Sequence, residues 1–74
     1  AAELRDRLLL ALDTLPPKLR AVVVLRDVYD LPHDAIADEL GISTTAAKVR
    51  LHRARHKLRA EVYPELDLVA SRAV

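Results

Sequence analysis

Cysteine, methionine, phenylalanine and tryptophan are all missing from these 74 residues, and glycine occurs once. Each absence removes a class of protein. Without cysteine there is no disulfide scaffold and no thiolate-held zinc, and the composition fits a reducing compartment, so a cytoplasmic location is expected. With Tyr29 and Tyr63 as the only aromatics, a core must be built from Leu, Val, Ile and Ala. One glycine in an Ala- and Leu-rich chain predicts an all-α fold. No apolar run approaches the ~20 residues that cross a bilayer, and no signal peptide is visible, so no membrane contact is expected. The chain opens on Ala-Ala-Glu-Leu without a methionine, which reads as a domain taken from a longer protein.

What is present is charge, sorted by position. The net charge is only +1. Residues 1–43 carry five basic and eight acidic groups; residues 44–59 carry six basic and none acidic; residues 60–74 carry one basic and three acidic. Such polarity concerns partners rather than fold. The stretch AAKVRLHRARHKLRA, residues 46–60, therefore needs an explanation. A basic helix met alone is more often a solvated face than a binding surface. Its surroundings reverse that weighting.

Four helices are predicted, over about residues 3–13, 17–29, 33–40 and 44–61. The first places Leu4, Leu8, Leu12 and Leu15 on one stripe. The second starts at Pro16-Pro17, where a missing N–H costs nothing, and turns Leu19, Val22, Val23 and Leu25 inward. Pro32 opens the third, Asp34 sits in its first turn, and Ile36, Ala37 and Leu40 face the core. Gly41 follows Leu40 at the position that favours a left-handed residue, Ile42 turns inward, and Ser43 is an N-cap for the fourth helix. A helix, a Gly turn and a capped helix in this spacing form a helix-turn-helix, of the winged-helix-like kind without the wing. Residues 1–61 are read as this one domain. Residues 62–74 are read as a C-terminal extension beginning around Pro64, with Leu66, Val69 and Ala73 spaced for a short helix.

On the fourth helix, Ala47, Leu51, Ala54 and Leu58 fall within about 60° of one another. Thr45, Val49, His52, Arg53 and His56 fall on the opposite side. Lys48, Arg55 and Arg59 flank one edge, and Arg50 and Lys57 the other. That is the layout a major-groove helix needs: donors on the flanks for phosphates, a slim central face for base edges. Thr44 and Thr45, at the helix N-terminus, suit a phosphate. Val49 suits a thymine methyl, Arg53 the O6 and N7 of guanine, and His52 a base or sugar. His52 and His56 have metal-ligand spacing, but no carboxylate or thiolate accompanies them and six cations surround them, so no metal site is expected. No nucleophile–base pair, phosphate loop or buried acidic pair occurs, so neither catalysis nor a cofactor is expected.

At LPPKLRAVVVLRDVYDLPHDAIADELGISTTAAKVRLHRARHKLR the chain resembles region 4 of the extracytoplasmic-function (ECF) sigma factors of bacterial RNA polymerase. The segments LPPKLRAVVVLR, AIADELGIS and KVRLHRAR carry the resemblance. It departs at Thr45-Ala46-Ala47, where Gly-Thr-Val-like sequences are common, and at Ala35, where a second acid is common. The resemblance implies a four-helix domain that binds the promoter −35 element, docks on the polymerase β-subunit flap and is commonly masked by an anti-sigma factor. By matched position it implies base reading by Lys48, Val49, His52 and Arg53, and backbone contacts from Ser43, Thr44, Thr45, Arg50 and Arg55. The flanking His56, Lys57 and Arg59 extend the backbone set. Two other readings remain open: a response-regulator-type helix-turn-helix that dimerises on paired half-sites, and a module that mainly binds the flap or an anti-sigma factor.

Overall fold

The computed structural model describes residues 2–63. Its elements are α1 (Ala2–Thr14), α2 (Pro17–Val23), which runs on as a π-helical turn over Val24–Val28, α3 (His33–Leu40) and α4 (Thr44–Val62). Among the described residues there is no strand. The short helix expected within residues 62–74 falls on positions outside the described residues, apart from Val62, the last residue of α4, and Tyr63. Tyr63 leaves helical geometry at φ −130°, as a residue before proline does.

The connections are set by local chemistry. Pro17 starts α2 behind Pro16 at φ −53°, ψ 144°. Arg20 reaches back across the α1–α2 turn. Its Nε donates to Leu12 O at 3.1 Å, and its Nη2 donates to Asp13 O at 3.2 Å and Leu15 O at 3.0 Å. One cation thus satisfies carbonyls that the end of α1 leaves open. Past α3, Gly41 adopts φ 66°, ψ 38°, Ile42 N donates to Ala37 O at 3.0 Å and Gly41 N to Asp38 O at 3.4 Å. This is the Schellman closure that the sequence pattern called for. Ser43 Oγ then accepts from Ala46 N at 3.0 Å and caps α4.

The second helix departs from expectation. It is α-helical only to Val23, and the turn widens so that Tyr29 N donates to Val24 O at 3.2 Å. The chain must leave this helix toward Leu31-Pro32. Asp30 makes the exit with φ 57°, which Asp tolerates better than most residues, and Leu31 N closes onto Leu25 O at 3.0 Å. Arg26 braces the turn by donating to Leu31 O at 3.0 Å. Over five residues an α- and a π-wound segment turn nearly the same side chains inward, so periodicity does not separate them.

All three other helices pack on α4. Leu15, Val22, Val23, Ile36, Ala37, Ala47, Leu51 and Ala54 form the core, bordered by Leu12, Leu19, Val24, Leu25, Leu31, Leu40, Ile42 and Leu58. It contains no aromatic ring. A second correction concerns α1. Ala11 in the helix and Leu15 just after it are buried, while Leu4, Leu8, Leu9 and Leu10 are exposed, Leu10 at 67%. The expected stripe is only partly covered at Leu4 and Leu8, 40% and 42% exposed, and α1 meets α4 near the C-terminal end of α4. There Arg7 Nη2 donates to Val62 O.

Truncating Leu51, which is 4% exposed at the centre of this packing, is expected to cost about 2–5 kcal/mol, read as a lowered denaturation midpoint. Ser43→Ala removes the α4 cap and is expected to cost ~1 kcal/mol in the same experiment.

Candidate nucleic-acid interface

The candidate surface is the outer side of α4 and the turn before it. Ala47, Leu51, Ala54 and Val62 are buried and Leu58 half-buried, which fixes the rotation of the helix. Thr45, Lys48, Val49, His52, Arg53 and His56 are consequently exposed, as are Ser43 and Thr44 in the turn. Lys48 and Val49 lie one turn before His52 and Arg53, so these four side chains share one patch. Val49 is 42% exposed, an apolar group that gains nothing from water. Ser43 Oγ spends a lone pair on the cap, yet its O–H remains able to donate outward.

The flanks divide into three environments. Arg50 is half-buried beside Ile42, over a hollow shared with Pro17, Lys18, Ala21 and Leu40. Lys57 stands at the α1–α2 junction, near Thr14, Leu15, Pro16 and Glu61. Arg55, Arg59, His52 and His56 line a shallow basin of about 340 Å³ along the other edge. Among the described residues no group of three potential metal ligands comes together.

Arg55 differs from its neighbours. Its Nε donates to Asp27 Oδ2 at 3.2 Å and its Nη2 to Asp27 Oδ1 at 2.5 Å. The fork spans from α4 to the π-helical turn. The guanidinium pKa is raised above its ordinary value, first by this hydrogen bond and also by the charge of Asp27, against an opposing effect of desolvation. A position expected to hold DNA backbone is therefore already engaged with a carboxylate of the same chain. Sequence reasoning missed Asp27, which lies 28 residues from its partner. The only signal was an acid one turn beyond buried Val23, and nothing local tied it to α4.

No helix among the described residues is long and apolar enough to cross a membrane. The family pattern for sigma-70, region 4, matches residues 5–58. The chain is 45% identical over 49 residues to the ECF RNA polymerase sigma factor SigE of Mycolicibacterium smegmatis, covering 66% of this chain and 19% of that protein. It is 36% identical over 76 residues to the probable ECF RNA polymerase sigma factor SigI of Mycobacterium tuberculosis, covering 96% of this chain and 26% of the relative. It is 44% identical over 69 residues to the RNA polymerase sigma factor CarQ of Myxococcus xanthus, covering 93% of this chain and 39% of CarQ. The chain thus spans well under half the length of each of these relatives. No solved structure matches it at a significant level. A four-helix frame carrying a capped helix-turn-helix, together with a region 4 match over most of its length, places this chain in the sigma-70 region 4 family.

Proposed function

We propose that this domain is the −35-reading module of an ECF sigma factor and directs RNA polymerase to promoters in the cytoplasm. The observation that carries the reading is the outer face of α4. Between Ser43 and Ala60 the helix carries six cations and two histidines and no carboxylate, with Lys48, His52, Arg53 and His56 on its exposed side. A major groove accepts such a helix, and its N-terminal half is the part that reaches base edges. Lys48, Val49, His52 and Arg53 are the base-reading set. Ser43, Thr44, Thr45, Arg50, Arg55, His56, Lys57 and Arg59 are the backbone set. No catalytic step belongs to this role.

The protein partners in this reading are the β-subunit flap of the polymerase and an anti-sigma factor. Two apolar surfaces support a protein-binding role beside DNA binding. One is the exposed leucine side of α1. The other is a groove lined by Pro17, Ala21, Val24, Leu25 and Leu40, with Arg20 and Glu39 at its rim.

Fluorescence anisotropy of labelled duplexes, titrated across salt concentrations, tests the reading. One preferred −35 sequence with salt-sensitive affinity is the expected result; equal affinity for all duplexes would remove the base-reading role. Arg53→Ala is expected to weaken the preferred duplex by about 1–3 kcal/mol and relax sequence choice. Arg50→Ala is expected to weaken all duplexes alike and to lower the log–log salt slope by about one.

A further inference from the structure

The Asp27–Arg55 fork lies on the edge of the proposed interface: Arg55 belongs to the backbone set, and Asp27 to neither set. Three features of it matter. It is bidentate, the geometry with which a guanidinium takes a carboxylate or a phosphate equally well. It is open to solvent on both sides, the side chains being 52% and 41% exposed. And it uses Nε and one hydrogen of Nη2, so the remaining donors face away from Asp27. The same guanidinium lines the basin with His52, His56 and Arg59.

An exposed pair of this kind is weak. Its making or breaking changes an equilibrium by a factor of about two to five. It is also poorly compatible with a bound duplex, because a phosphate entering the basin would stand close to the Asp27 carboxylate with only one guanidinium between them. A polyanion that releases counterions as it binds has the stronger claim on Arg55.

We propose that Asp27 is an intramolecular stand-in for a DNA phosphate, holding Arg55 in the DNA-free domain and giving it up to a phosphodiester that enters the His52–Arg55–His56–Arg59 basin. The inference rests on the DNA-binding part of the proposed function but not on sequence preference, since a phosphate contact is the same on any duplex. Asp27 is then an affinity-setting residue. It neutralises one recognition-helix charge until DNA arrives, and so lowers the grip on every sequence by the same factor. Discrimination between sequences is left to the outer face.

The test is a double-mutant cycle with the wild-type domain, Asp27→Asn, Arg55→Gln and the double variant. Each is titrated against a −35 duplex and a random-sequence duplex at several salt concentrations, with thermal melting to verify that each is folded. Asp27→Asn is expected to bind both duplexes about two- to five-fold tighter, with a salt slope steeper by about one. In the Arg55→Gln background the same substitution is expected to change affinity less than about two-fold. An equal gain with and without Arg55 would overturn the proposal, because Asp27 would then act only through its long-range field. A loss of affinity in Asp27→Asn would overturn it too, since Asp27 would be bracing Arg55 for DNA instead of competing for it. Failure of the wild-type domain to prefer the −35 duplex counts against base reading alone, because the random duplex still reports on the cycle. Failure of all four proteins to bind either duplex overturns both.

Discussion

The inner stripe of α4 is the constraint on which the rest of the domain depends. Ala47 and Ala54 are 1% and 0% exposed, and methyl-sized side chains there let the neighbouring helices approach closely. Leu51 fills the space between them. Every other helix packs on this one helix, so its rotation about its own axis is fixed by the core, and the direction in which Lys48, Val49, His52 and Arg53 point is fixed with it. The stability available for this is small. At roughly 0.05–0.15 kcal/mol per residue, a domain of about sixty residues holds only some 3–9 kcal/mol in reserve. A purely aliphatic core leaves no large ring to compensate for a lost contact.

Charge placement acts with that geometry. The acids gather in the first three helices, and many of them, Asp6, Asp13, Asp30, Asp34, Asp38 and Glu39 among them, are exposed. A polyanion is attracted chiefly by the basic side of the molecule, which orients its encounter. Asp27 lies against the basic side, in a bidentate pair with Arg55.

Much of the frame was readable from punctuation. Pro17, Pro32, Gly41 and Ser43 each enforce a backbone state through their own covalent structure or side-chain oxygen, so their consequences are local and survive in the fold. The α4 stripe was readable for a different reason: nineteen residues give enough turns for a period to declare itself. The misreadings have equally physical causes. Val24–Val28 is too short for a π-wound turn to differ in pattern from an α-helix. The leucines of α1 are amphipathic in sequence, but amphipathicity says which side is apolar, not whether anything lies opposite it, and Leu4 and Leu8 stay exposed. The Asp27–Arg55 fork joins residues with no shared period, and only the docking of α2 on α4 brings them together.

Core and outer face alternate along α4 yet never meet in space. Ala47, Leu51 and Ala54 are buried against the body of the protein, and Lys48, Val49, His52 and Arg53, interspersed with them in sequence, are exposed. Substitutions at the second set open no cavity in the core, and exposed helical positions usually tolerate change within about half a kcal/mol. With the base-reading role proposed for these four residues, target choice can drift by single steps, each intermediate still folded. On that reading, two copies of a duplicated gene can diverge in target without first passing through an unstable protein.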